Sequence, residues 1–275
     1  MTREGATLVD RALAHLKLGP VHTLALARDV LGLHGPAGPS SAAVFALLRD
    51  DPRVDVDAGG TWALKEAPVG PLIDQLSFAV VDVETTGGRA GNGDRITDIA
   101  IVQVAGGQIV DEFASLVNPG RSIPPMIRQL TGITDQMVAG APRFEHIAPL
   151  VSERLVDRVF VAHNVAFDRR FVSHELLDAL GDASLGPSLC TVQLSRALLP
   201  QLERRNLDAV ARFFDVPIRD RHRALGDAVA TAHVLLHLLD EALQRGIRDL
   251  DTLQKYSGRR GRRRNPKPKS SPDDS

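Results

Sequence analysis

The chain has 275 residues, of which 43% are hydrophobic and 24% charged, with a formal net charge of −1; this is ordinary for a globular protein and leaves room for two domains, each with its own core. No apolar run reaches membrane-spanning length and the N-terminus carries no apolar signal core, which argues against membrane-embedded and secreted classes. The single cysteine, Cys190, excludes an intrachain disulfide and fits a reducing compartment, so the expected location is cytoplasmic.

Residues 1–67 read as a small separate domain. Leu8, Val9, Ala12, Leu13 and Leu16 form a helical stripe within Thr7–Lys17. Thr23 is placed to cap a second helix over Leu24–Leu31, with Gly32 ending it. Ser40 or Ser41 is placed to cap a third helix running to Arg49. Arg53–Asp57 and Thr61–Leu64, joined through Gly59-Gly60, read as a hairpin. Three helices followed by a hairpin resemble a winged helix. With seven Lys/Arg against eight Asp/Glu, however, this segment lacks the basic face that duplex DNA demands, so docking to protein or a structural role ranks ahead of DNA binding. Residues 68–74, opening with Pro68-Val-Gly-Pro71, read as a linker.

The second domain, residues 75–248, opens with Phe78-Ala-Val-Val-Asp-Val-Glu-Thr-Thr-Gly87. Four apolar residues lead into Asp82 and Glu84. Side chains at i and i+2 of a strand share a face, so the two acids stand side by side at its end. Adjacent carboxylates repel unless a cation lies between them or one is protonated, and Mg²⁺ or Mn²⁺ suits an all-oxygen site. The alternative at this point is a strand end with two solvated acids. A second strand follows over Arg95–Val104, and Gly106-Gly107 turns it into a third, Gln108–Val117. Helices are expected over Pro124–Leu130 and Phe144–Val156. A short strand at Val159–Ala162 leads to helices over Ala166–Leu180, Leu189–Leu199 (entered from a strand end), Asn206–Phe214 and Arg223–Arg245. Hairpin strands followed by alternating strands and helices indicate an α/β fold with a mixed sheet.

Two downstream stretches supply further acids. Val161-Ala-His163-Asn164-Val-Ala-Phe167-Asp168 runs from a strand end into a helix, with Asp168 in its first turn. His222-Arg-Ala-Leu-Gly-Asp227 opens the last long helix. Alone, Asp168 reads as a helix N-terminal charge and His222 as a loop histidine among Arg219, Arg221 and Arg223.

Asp82 and Glu84, then His163, Asn164 and Asp168, then His222 and Asp227 match in order and spacing the three motifs of the DEDD exonucleases. Leu130-Thr-Gly132-Ile133-Thr134 and Asn206-Leu207-Asp208 agree with the same family. The chain therefore resembles the histidine subclass of that superfamily, the DnaQ-like 3′–5′ exonucleases of the proofreading epsilon type, over residues 75–245. The position four before Asp227, where another subclass has Tyr, is Arg223 here, and the chain's only tyrosine is Tyr256.

The resemblance implies a ribonuclease H-like mixed sheet flanked by helices. It implies two divalent cations, Mg²⁺ or Mn²⁺, held by Asp82, Glu84, Asp168 and Asp227. His222 would be the general base, and Thr85, Thr86 and Asn164 substrate contacts. The implied activity is removal of nucleoside 5′-monophosphates from single-stranded or frayed DNA 3′ ends in proofreading or repair. An RNA-processing exoribonuclease, or a binding module acting through residues 1–67, is the alternative. Implied partners are single-stranded nucleic acid, DNA ahead of RNA, and a polymerase or repair complex recruited through residues 1–67; no membrane partner is expected. Residues 249–275 read as a disordered tail. Within it, residues 259–275 carry five Arg and two Lys against two Asp, which leaves a net −6 on the rest of the chain.

Overall fold

The computed structural model describes residues 7–51, 53–65 and 70–260, and the chain divides into two compact units, Met1–Ala67 and Pro68–Ser275. The first unit comprises α1 (Leu8–Leu16), β1 (Val21–His22), α2 (Thr23–Asp29), α3 (Ala37–Leu48), β2 (Val54–Val56) and β3 (Thr61–Leu64). Its three short strands lie in the order β1-β3-β2, all antiparallel. Thr7 and Asp10 close a capping box on α1, whose buried face is Ala12, Leu13 and Leu16.

Two caps differ from the sequence expectation. The cap of α2 is His22, whose Nδ1 accepts from the Leu24 N–H at 3.2 Å. Thr23 is buried instead. Its hydroxyl donates to the Gly60 carbonyl at 2.6 Å and accepts from the Trp62 indole N–H at 3.0 Å, which ties the helix to the hairpin. The third helix starts at Ala37 behind Pro36, three residues before the expected serine cap, because proline pre-sets φ for a first turn. Ser40 is thereby buried within it.

The second unit is built on a five-stranded mixed sheet of order β6-β5-β4-β7-β8, formed by β4 (Ser77–Thr85), β5 (Ile96–Ala105), β6 (Gln108–Leu116), β7 (Val159–Ala162) and β8 (Ser188–Cys190). β4 runs antiparallel to β5 and parallel to β7. Gly106 and Gly107 both have positive φ, as the two-residue hairpin between β5 and β6 requires. Between β6 and β7 come α4 (Pro125–Thr131), α5 (Asp135–Ala139) and α6 (Phe144–Leu155). After β7 come α7 (Val165–Leu180), then α8 (Thr191–Leu198), α9 (Leu207–Phe213), α10 (Ala224–Gln244) and α11 (Leu250–Arg260). The short α5 is absent from the sequence reading; it forms because Thr134 caps it through the Met137 N–H.

Strand alternation sorts the sheet into two layers. Ala79, Val81 and Val83 of β4 pack with Ile99 and Ile101 against residues of α6 and α7. Phe78 and Val80 pack with Ala100 and Val102 against residues of α8 to α11. Continuing the second series by twos reaches Asp82 and Glu84. The strand thus sends its two acids to the α10 side, and the apolar series before them anchors that choice of face.

Two sequence-derived boundaries need correction. The proposed linker 68–74 is partly structured: Leu72 bridges Asp249, the Ile73 N–H donates to the Arg248 carbonyl at 2.9 Å, and Ile73 is buried. The proposed tail from 249 begins with a helix. Asp249 accepts from the Thr252 N–H, and Leu250 and Leu253 are buried with α11 packed on α8. The charge of this segment hid an apolar stripe of Leu250, Leu253 and Tyr256 at helical spacing. The basic run from 261 onward lies outside the described residues.

Because Leu253 is fully buried, Leu253→Ala is expected to destabilise the second unit by about 2–5 kcal/mol, the cost of a core cavity. Urea unfolding monitored by circular dichroism measures it, and an unchanged midpoint would mean that α11 is not part of the core.

Candidate active site

Three elements converge on the end of β4. The strand itself delivers Asp82 and Glu84. α7 brings Asp168, 4% exposed, in its first turn, where its Oδ1 accepts from the Val83 N–H at 3.2 Å. α10 brings Asp227, 3% exposed, also in its first turn. Glu84, His222 and Asp227 each present a ligand atom within 4.8 Å of the others. The acids drawn from four sequence positions therefore meet, and His222 meets them.

Burial dominates the electrostatics. Asp82 is pushed well above the ordinary carboxylate range by burial, then by Asp168, Asp227 and Glu84. Asp168 is raised by burial despite hydrogen bonds from its own N–H and that of Val83. Burial, then Asp227 and Asp98, push Glu84 up to about 8. Asp227 is raised by burial, although Arg221 and His222 oppose the shift.

Asp227 Oδ2 accepts from the Arg221 guanidinium and from the His222 N–H. Asp227 Oδ1 is buried with no hydrogen-bond partner. An orphaned carboxylate oxygen beside three further acids is a donor set matched to a divalent cation.

The surrounding loops hold this geometry. His222 has φ 65° and Asp220 φ 47°, left-handed values that non-glycine residues seldom adopt. Gly226 permits the approach of this loop to α10, since a Cβ there would overlap the Arg219 carbonyl oxygen. After β4, the Thr85 hydroxyl donates to the Gly87 carbonyl at 2.6 Å and the Thr86 hydroxyl accepts from the Arg95 N–H at 3.0 Å. Both threonine hydroxyls are thus engaged in the turn. Arg95 then forks onto buried Glu175 of α7 at 2.9 and 2.6 Å, tying the loop to the helix that carries Asp168.

Asn164 is exposed at the start of α7 with φ 79° and makes no side-chain cap bond. His163 turns inward, as a packing residue would: its Nε2 donates to the Arg205 carbonyl at 2.9 Å and its Nδ1 accepts from the Thr191 hydroxyl at 2.8 Å. Burial lowers its pKa, consistent with this neutral tautomer.

Gly226, Glu175 and Asp98 escape a motif reading. A glycine inside a helix start and a lone acid in the apolar run Ile96–Val104 were the available signals.

Four carboxylates and an imidazole, gathered at the end of β4, the central strand of the mixed sheet, form the kind of donor set that metal-dependent phosphodiesterases use. Residues 79–235 match the family model described as Exonuclease (RNase_T). A DNA polymerase III subunit epsilon of Aquifex aeolicus is 36% identical over 65% of this chain and 89% of its own length. The chain belongs to this exonuclease family, as a DnaQ-like 3′–5′ exonuclease.

A Mycobacterium tuberculosis protein named as a bifunctional exonuclease/endonuclease is 42% identical over 66% of this chain and 29% of its own length. Among solved structures, Exonuclease X in complex with 5′ overhanging duplex DNA superposes with a TM-score of 0.52 at 29% identity, over 66% of this chain and 99% of that one. Of several longer relatives, PolC-type DNA polymerase III of Bacillus subtilis among them, the chain spans only 12% to 29%.

Two outcomes follow. Gly226→Ala is expected to displace the His222 loop and lower nuclease turnover by about 10²-fold, the scale on which a misplaced catalytic group acts; turnover within twofold of the parent would contradict the packing argument. The folded carboxylates bind protons more tightly than unfolded ones do. The stability this confers is present below the ordinary carboxylate range and is lost as pH rises toward 8. Thermal midpoints in chelator are therefore expected to fall between pH 5 and 8.5, and a flat profile would contradict the shifted values.

Proposed function

We propose that the chain removes nucleotides one at a time from the 3′ ends of single-stranded or frayed DNA, releasing nucleoside 5′-monophosphates in proofreading or repair. The observation that carries this reading is the convergence of Glu84, His222 and Asp227 on one point, with Asp82 and Asp168 alongside. Asp82, Glu84, Asp168 and Asp227 would hold two Mg²⁺ or Mn²⁺ ions, which supply an activated water and stabilise the leaving 3′ oxygen when bound.

The chain's own residues do the rest. A ring nitrogen of His222 takes the proton of the attacking water, as a general base of the imidazole type can. Burial raises the proton affinity of the four acids, and bound cations would favour their ionised forms. The exposed Asn164 and the backbone at Thr85 and Thr86 would face the terminal nucleotide, a reading supported by the exposure of Asn164 and by the threonine hydroxyls being engaged in the turn.

The order α1-β1-α2-α3-β2-β3 of the first unit supports a winged-helix reading. Its balanced charge supports recruitment to a polymerase or repair complex rather than duplex binding. The relatives named as a polymerase III subunit and as PolC-type polymerase III support the same direction.

Purified protein incubated with 5′-labelled single-stranded DNA and RNA of one sequence, with Mg²⁺, Mn²⁺ or chelator, tests the reading. A ladder shortening from the 3′ end of DNA, abolished by chelator, is expected. Degradation of RNA alone would overturn the DNA assignment, and degradation of neither would overturn the function. Asp82→Ala or Asp227→Ala is expected to cut the rate by about 10³-fold or more, as losing one member of a cooperating catalytic set does; a folded variant that retained activity would remove that residue from the site.

A further inference from the structure

β5 carries one charged residue into the layer that α10 covers. Asp98 is 3% exposed and stands directly across the ladder from Glu84. Its Oδ2 accepts from Arg223 Nε at 3.0 Å and from the Ala224 N–H at 3.3 Å. Ala224 is the first residue of α10, and the helix receives no side-chain bond from its own N-cap, Arg223. A strand carboxylate thus provides the cap that the local sequence omits.

The residue before this cap is His222, in its left-handed conformation. A non-glycine residue persists there only when its neighbours hold it on both sides. On one side Arg221 pairs with Asp208 and Asp227, and the His222 N–H itself donates to Asp227 Oδ2 at 3.2 Å. On the other side the hold is Asp98, through Arg223 and Ala224. Asp227 is less dependent on it, since one face of α10 is buried from Ala228 to Ala242.

We propose that Asp98 is the positioning residue for His222: by clamping Arg223 and the first N–H of α10, it fixes the turn that aims the imidazole at Glu84 and Asp227. The inference rests on the reading of His222 as the general base. Asp98 itself touches no reacting atom. If it served only to stabilise the helix end, its loss would act independently of His222.

A double-mutant cycle with Asp98→Asn and His222→Ala separates the two roles. Asp98→Asn keeps the side-chain shape and removes the charge that holds Arg223. It is expected to lower kcat on single-stranded DNA by about tenfold with KM within about twofold, and to add no further loss to His222→Ala. Independent, multiplying losses would overturn the proposal, as would wild-type kcat in Asp98→Asn. Should Asp98→Asn not fold, Arg223→Gln takes its place with the same expectations, because it leaves the Asp98 bond to Ala224 intact. A wild-type protein without exonuclease activity would sink the proposed function instead, so the two failures are distinguishable.

Discussion

Four carboxylates gathered at one partly buried site repel each other and lose hydration, and neither cost is met by protein hydrogen bonds alone. Val83 and His222 lend single backbone N–H groups, and Arg221 lends one guanidinium to Asp227. One oxygen of Asp227 has no partner at all. Such a cluster persists because the rest of the second unit fixes it in place. The alternation of β4 drives Asp82 and Glu84 to the α10 side, while the cores beneath α7 and α10 hold Asp168 and Asp227 against them. The scaffold's stability is spent on an arrangement that a divalent cation relieves.

The same logic explains where strain is stored. The loop before α10 contains two left-handed non-glycine residues, Asp220 and His222, on either side of Arg221. Gly226 lets this loop lie flush on the helix, and ion pairs to Asp208, Asp227 and Asp98 hold it there. The histidine is therefore presented by a loop whose conformation is fixed by its neighbours. The threonine turn after β4 is fixed likewise, through Thr85, Thr86 and the Arg95–Glu175 fork.

Much of this was legible in the sequence wherever a local rule carried the information. Phe78–Gly87 showed both the strand and the shared face of its acids, because the period of two is a property of the strand alone. β7 and the bodies of α6, α7 and α10 lie where the sequence reading expected them, over Val159–Ala162, Phe144–Leu155, Val165–Leu180 and Ala224–Gln244. What was hidden depends on partners distant in the chain. Asp98 acquires meaning only from a ladder register that sets it opposite Glu84, and Glu175 only from a loop that returns to α7. Thr23 has the chemistry of a helix cap, yet Trp62 and Gly60 claim its hydroxyl and His22 caps in its stead. The helix after residue 249 was masked by its charged composition, with only Leu250, Leu253 and Tyr256 to carry its apolar face.

If the clustered acids are held partly protonated until cations enter, metal binding must release protons. Calorimetric titration of the protein with Mn²⁺ at pH 7, in two buffers of different ionisation enthalpy, measures protons released on binding. With Glu84 shifted to about 8 and Asp82 and Asp168 shifted upward beside it, release of about one proton or more per protein is expected. Binding heats independent of the buffer would contradict it.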